Sequence, residues 1–241
     1  MRIDLNADVG EGSPQEAGLI PLVTSVNIAC GGHAGGQDMM KEAVERARRA
    51  GVQIGAHPGF EDPAHFGRRE LELPLAEVEA LVRRQLRRLR EVTPMRHVKP
   101  HGGLYNVAAK RRDVADAIAA AVAGIDDRLI LVGLAGSHLE RAAAAFGLPF
   151  AGEAFADRTY RPDGTLTPRG DGNALINDPD AAVAQVLSMI REGRVQATDG
   201  TWLPVQAQTV CLHGDGAHAI AFARRLRAEL ADAGVQVAAL A

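Results

Sequence analysis

Short apolar runs, each stopping at Asp, His or Lys beside glycine, alternate with longer amphipathic stretches along almost the whole chain. Strands are expected at 2–7, 23–29, 52–57, 95–99, 129–134 and 209–213, with further ones at 235–239 and near 149–152. Helices are expected at 37–50, 75–92, 113–123, 137–146, 178–192 and 216–233. The punctuation agrees: Pro74 suits a first turn, Asp178 with Pro179 makes an N-cap followed by an N1 proline, and Gly51, Gly124, Gly147, Gly193 and Gly234 stand as C-terminal stops. Strands alternating with helices pair in parallel through right-handed crossovers. Seven or eight mostly parallel strands favour a (β/α) barrel, with an open doubly wound sheet as the alternative.

Chemistry gathers at the strand ends. Val98-Lys99-Pro100-His101-Gly102-Gly103 places a lysine, a histidine and a glycine pair where one strand should stop. Asp8 precedes Val9-Gly10-Glu11-Gly12, Cys30 precedes Gly31-Gly32-His33, His57 precedes Pro58-Gly59, and Cys211-Leu212 runs into His213-Gly214-Asp215. Folds built on parallel strands collect ligand-binding groups at their carboxyl ends, where glycine lets the backbone turn sharply. Successive strand residues face opposite sides, so Asp4, Asn6 and Asp8 share a face, as do His97, Lys99 and His101, and Cys211 with His213. Ile3, Leu5 and Ala7 lie opposite, suited to packing under helices.

Composition narrows the class. A chain of 241 residues with 46% hydrophobic content buries one large core, so residues 1–241 are expected as a single domain. A net charge of −3 argues against a nucleic-acid or anionic-membrane partner. Two cysteines, no signal-like N-terminus and no long apolar run point to the cytoplasm. Cys30 and Cys211 read as small buried residues rather than nucleophiles. Two connections, 57–73 and 153–173, exceed normal loop length and carry arginines and aromatics, which favours binding elements. Thr198-Asp199-Gly200-Thr201-Trp202 reads as the turn of a surface hairpin.

Several blocks together carry a family resemblance: Asp4-Leu5-Asn6-Ala7-Asp8, Asn27-Ile28-Ala29-Cys30-Gly31 with His33-Ala34-Gly35, Ile54-Gly55-Ala56-His57-Pro58, His97-Val98-Lys99-Pro100-His101-Gly102, Gly133-Leu134-Ala135-Gly136-Ser137, Phe155-Ala156-Asp157-Arg158 and Cys211-Leu212-His213-Gly214-Asp215. They resemble the signature of the LamB/YcsF family, collinear from Arg2 to about Ala239. The resemblance implies a barrel related in shape to glycoside hydrolases and polysaccharide deacetylases. It also implies cleavage of 5-oxo-L-proline to L-glutamate driven by ATP hydrolysis, as the A component of a 5-oxoprolinase working with subunits B and C. Gly32 stands where the family usually has Phe, and Gly36 where it usually has Asp.

That chemistry calls for a water-activating group, stabilisation of developing charge and a site for the substrate carboxylate. Asp8, His57 and His101 are the expected water-activating cluster, either around a divalent metal or positioning water without one. Lys99 and Arg158 are the expected anion binders. Asn6, Asn27, His33, Tyr160, His213 and Asp215 complete the expected substrate contacts. Each has a plainer alternative: Asp8 as a turn residue, His57 as a loop residue restricted by Pro58, and His213 and Asp215 as caps of the last helix. His33 with its flanking glycines could instead hold phosphate at a helix start. His97 is expected behind the site, and His65, His138 and His218 at surface or helix positions. Two other functions stay open: a stand-alone metal-dependent carbohydrate deacetylase, and a noncatalytic scaffold for subunits B and C.

Overall fold

A computed structural model of the chain describes residues 1–213 and 218–241. In chain order the elements are β1 (Arg2–Val9), α1 (Glu16–Leu19), β2 (Ser25–Ala29), α2 (Gln37–Ala50), β3 (Gln53–His57), α3 (Leu75–Arg90), β4 (His97–Val98), α4 (Gly102–Lys110), α5 (Arg112–Ala123), β5 (Ile130–Leu134), α6 (His138–Ala145), β6 (Phe150–Phe155), α7 (Pro179–Arg191), β7 (Arg194–Gln196), β8 (Trp202–Pro204), β9 (Thr209–Cys211), α8 (Ala219–Asp232) and β10 (Gln236–Val237). Strands β1 to β6 run side by side in sequence order and β9 closes the ring by pairing with both β6 and β1. The result is a parallel seven-stranded barrel, with β10 attached to the outside edge of β1. Strands β7 and β8 form the expected antiparallel hairpin, with Trp202 exposed at its end.

Alternation along β1 sorts the two sides of the wall. Ile3, Leu5, Ala7 and Val9 are buried in the apolar layer between barrel and helices, with Ile28, Val98 and Leu131 from neighbouring strands. Full burial of side chains of this size contributes about 1.5–3 kcal/mol each. Asp4, Asn6 and Asp8 take the opposite face, and the register sets Asp8 beside Asn27, Asn27 beside Gly55 and Gly55 beside His97. Gly55 is required there, because an added Cβ would stand 2.1 Å from Nε2 of His97, whose ring crosses the glycine to reach Asn27.

Two differences from the sequence reading matter for the site. The strand expected at 95–99 is only His97–Val98, and the glycine pair after it does not form a loose turn but starts helix α4. Two glycines and a nearby proline give poor local helix propensity, so tertiary contact decides: Gly103 N–H donates to Gly67 O at 2.8 Å, and a Cβ on Gly103 would stand 2.0 Å from Arg69 O. The 57–73 connection is thereby laid against α4. The weaker segment near 149–152 is a full barrel strand, β6, extending to Phe155.

Candidate metal centre at the barrel rim

Four side chains from four segments meet above the carboxyl end of the barrel. Glu11 follows β1, His33 follows β2, His57 ends β3, and His101 follows β4 as the N-cap of α4. One ligating atom from each lies within 4.8 Å of all the others, a grouping that could hold a metal ion. Local hydrogen bonds fix which nitrogens face inward. His57 Nδ1 donates to Lys99 O and His101 Nε2 donates to Phe66 O, each at 2.8 Å, because a carbonyl can only accept. The remaining nitrogens, His57 Nε2 and His101 Nδ1, face each other at 2.9 Å. Glu11 Oε1 stands 3.7 Å from the first, 3.4 Å from the second and 2.8 Å from His33 Nε2. Two imidazole lone pairs cannot face each other unaided; one proton or one cation must lie between them.

Burial sets the electrostatics. It pushes His101 down to about 2 and His33 down to about 3, and the neighbouring His57 adds to both shifts. Burial also works against charge on His57, but Asp8 at 3.3 Å and then Glu11 outweigh it and raise its pKa. Three buried imidazoles, two of them held neutral, with one carboxylate form a donor set suited to a borderline transition ion such as Zn²⁺ and poorly suited to Mg²⁺ or Ca²⁺. The outward nitrogens tied to backbone carbonyls orient the rings as ligands require.

Asp8 stands one step outside this group. Its Oδ1 accepts from Asn27 Nδ2 at 2.8 Å and Lys99 Nζ at 3.0 Å, while Oδ2 turns to His57. Burial would raise its carboxyl, but His57 and Lys99 hold it well below the usual carboxylate range. Lys99 is buried yet stays charged: burial pulls its pKa down, and Asp8, Cys211 and Glu153 carry it well above its ordinary value. Its Nζ is 2.8 Å from Glu153 Oε1 and 3.2 Å from Cys211 Sγ. Both cysteines are free and buried.

A rim cavity of about 660 Å³ opens onto these groups, lined among others by Asp8, Glu11, His57, Lys99, His101, Arg158 and His213. Asp8, His57 and His101 line one cavity with Lys99, as expected, with Asp8 Oδ2 3.3 Å from His57 Nε2; Glu11 and His33 join the two histidines in the cluster, and Asp8 also pairs with Lys99. Asn6 and Asn27 do not line the cavity. Asn6 donates to Thr209 Oγ1 and Glu153 Oε1 and accepts from Asn27, whose own oxygen takes His97 Nε2; their amides are spent holding Asp8 and Lys99. His33 is no phosphate anchor, being turned to Glu11 and stacked on His101 at 3.6 Å. Tyr160 is buried away from the cavity, its hydroxyl accepting from Phe155 N–H at 2.9 Å. Arg158 lines the cavity but also braces its own loop through Thr167 O at 2.5 Å and Ala174 O at 3.3 Å. Asp215 lies outside the described residues. His97 sits behind the site, and His65 and His218 are exposed, as expected.

Glu11 and Glu153 are the residues that sequence reasoning passed over. Glu11 sits between two glycines after β1, a signal available in the sequence; Glu153 lay in a segment read too short.

At Gly32, an added Cβ would stand 2.6 Å from the side-chain amide of Gln85, which occupies that space and bonds both backbone groups of Gly59. Gly36 faces open space as the uncapped N-cap of α2.

Fold and site together define a parallel α/β barrel protein with a Glu/His cluster at its carboxyl rim. A family model for the LamB/YcsF family matches residues 3–241, and the chain belongs to that family. It is similar over 100% of both chains to the crystal structure of the lactam utilization protein from Thermus thermophilus, at 43% identity and a TM-score of 0.91. More distant likenesses concern the fold alone. A family 4 carbohydrate esterase from Streptomyces lividans in complex with acetate matches at 15% identity and a TM-score of 0.53, covering 100% of this chain and 93% of that one. A T48 deacetylase with substrate matches at 14% and 0.53, covering 98% and 86%. Among the described residues no helix is long and apolar enough to cross a membrane.

Proposed function

We propose that this chain is the A component of an ATP-dependent 5-oxoprolinase, a cytoplasmic complex with subunits B and C that cleaves 5-oxo-L-proline to L-glutamate while ATP is hydrolysed to ADP and phosphate. Family membership and the likeness to a lactam utilization protein support the substrate class. The observation that carries the reading is the convergence of His57 Nε2, His101 Nδ1 and Glu11 in a cavity that also exposes a charged lysine. A lactam is a resonance-stabilised amide, so its opening needs an activated water and a positive field where the carbonyl oxygen gathers charge. Glu11, His33, His57 and His101 would hold a divalent ion there, which would supply Lewis acidity and lower the pKa of a water. Asp8, kept ionised, accepts hydrogen bonds at the cavity wall and orients His57. Lys99 supplies fixed positive charge, and Arg158 faces the substrate carboxylate from the long loop.

The Glu/His cluster also favours a second reading, a metal-dependent hydrolase that works alone on an acetylated carbohydrate. Mixing the chain with subunits B and C separates the two. Glutamate release from 5-oxoproline that requires ATP and all three subunits is expected. ATP-independent turnover by the isolated chain, or deacetylation of an acetylated sugar at a comparable rate, would reject the assignment.

A further inference from the structure

Barrel register brings a second pair of ionisable groups together, one of which, His213, lines the cavity. Phe155 of β6 is paired with Cys211 of β9, so residues two positions further along each strand meet at the rim. They are Asp157 and His213. His213 Nδ1 lies 2.8 Å from Oδ1 and 2.9 Å from Oδ2 of Asp157. Burial would raise the Asp157 carboxyl, yet His213 beside it holds it below its ordinary value, so the carboxylate accepts and Nδ1 carries hydrogen. The Phe155 ring lies nearly parallel to the imidazole, 5.8 Å away at 18°, and fixes its plane. With Nδ1 committed, Nε2 on the opposite edge is the nitrogen able to give and take a proton, and His213 lines the cavity. This pair comes from the ends of β6 and β9, whereas the Glu/His cluster comes from the ends of β1 to β4.

We propose that Asp157 and His213 form a proton-donating dyad that serves the departing nitrogen of the lactam. The proposal rests on the reading of the chain as the A component of that complex. Opening the ring requires the oxygen of water to bond to the carbonyl carbon, with one of its protons passing to a base. The carbon–nitrogen bond then breaks and its electron pair moves to nitrogen, which cannot leave as an anion and takes the proton from His213 Nε2. The imidazole is left neutral, with Nδ1–H still on Asp157, and regains its proton from solvent. Phosphoryl activation of the carbonyl oxygen leaves this requirement unchanged, because the nitrogen still has to depart. Asp157 touches His213 directly, and the carboxylate, imidazole and cationic groups that line the cavity with His213 are Asp8, Glu11, His57, Arg68, Glu70, Lys99, His101, Arg158 and Arg169.

The test uses the complex with subunits B and C, supplied with ATP and 5-oxoproline. His213→Gln should lower kcat about 10²-fold or more, a general-acid effect, while KM stays within about threefold and the melting temperature is retained. Asp157→Asn should keep part of the activity, lowering kcat by about 10-fold with KM little changed, and Asp157→Glu should recover most of it, because Nδ1 loses and then regains the carboxylate that orients the ring. An active wild-type complex whose His213→Gln form keeps near-normal kcat, or whose Asp157→Asn form keeps wild-type kcat, overturns the dyad. A wild-type complex that releases no glutamate overturns the functional reading instead.

Discussion

Strand β1 carries three inward polar residues, and its two ends behave differently. At the amino end, Asp4 accepts from Thr24 Oγ1 at 2.7 Å, from Ser25 Oγ at 2.8 Å and from Thr209 Oγ1, so both its oxygens have donors. Beyond the carboxyl end, the Glu11, His33, His57 and His101 group has acceptors facing acceptors, and His33 Nδ1 is buried without a hydrogen-bond partner. Both regions are buried and polar. A network that closes on itself serves stability, whereas one that leaves converging lone pairs is built around something it does not itself supply.

The largest expected effect separates the two ends. His101→Ala or His57→Ala should lower glutamate formation by about 10³-fold, as loss of a preorganised charge-stabilising group does, with a melting temperature near wild type. Asp4→Ala should do the reverse. Taking the acceptor from the buried hydroxyls of Ser25 and Thr209, and one of two from Thr24, costs about 2–4 kcal/mol in denaturant unfolding, with turnover per folded molecule preserved. Equal stability losses at both ends would erase the distinction.

Acid sharpens the comparison because carboxyls in the two regions shift in opposite directions. Burial, added to by the charge of Glu153, outweighs the hydroxyl donors and raises Asp4, whereas Asp157 at the rim is lowered by His213 despite its own burial. For Asp4 the folded chain holds the proton to higher pH than the unfolded chain, so its contribution is present below the ordinary carboxylate value of about 3.9 and is lost as pH rises through the raised value. For Asp157 the contribution is present above the ordinary value and lost as pH falls through the lowered one. Melting curves from about pH 3 to about pH 7 should show the wild-type advantage over Asp4→Asn shrinking as pH rises and that over Asp157→Asn growing. Parallel trends would contradict the assigned directions.

Much of this was legible in the sequence because it depended on short-range pattern. Period-two alternation placed Asp4, Asn6 and Asp8 inward, and glycine and proline punctuation located most helices within a residue or two. The motif blocks identified the family and placed His57 and His101 at the rim. What escaped was decided by contacts across the barrel. Helix α4 forms over two glycines because Gly67 and Arg69 lie against it. Glu11 joins His57 and His101 at the rim, while Lys99 and Asn27, far away in sequence, hold Oδ1 of Asp8. Tyr160 is expected from the sequence as a substrate contact on the long 153–173 connection, yet its hydroxyl accepts from Phe155 N–H and holds the end of β6.

The smallest effect tests a departure from the family pattern outside both regions. Gly36→Asp should gain about 0.5 kcal/mol, since an N-cap carboxylate would accept from the free N–H groups at the start of α2 in open space. A loss of stability would mean that the start of α2 is constrained in another way.

Cobalt(II) titration followed by visible absorption addresses the rim most directly, because ligand-field bands report nitrogen and carboxylate ligation without any need for turnover. Wild-type chain should bind about one equivalent, Asp4→Asn should bind the same, and Glu11→Gln and His101→Ala should weaken binding by at least about 10-fold. Absence of binding to the folded wild type, or bands of equal affinity in the rim variants, would contradict the claim that Glu11, His33, His57 and His101 form a cation site.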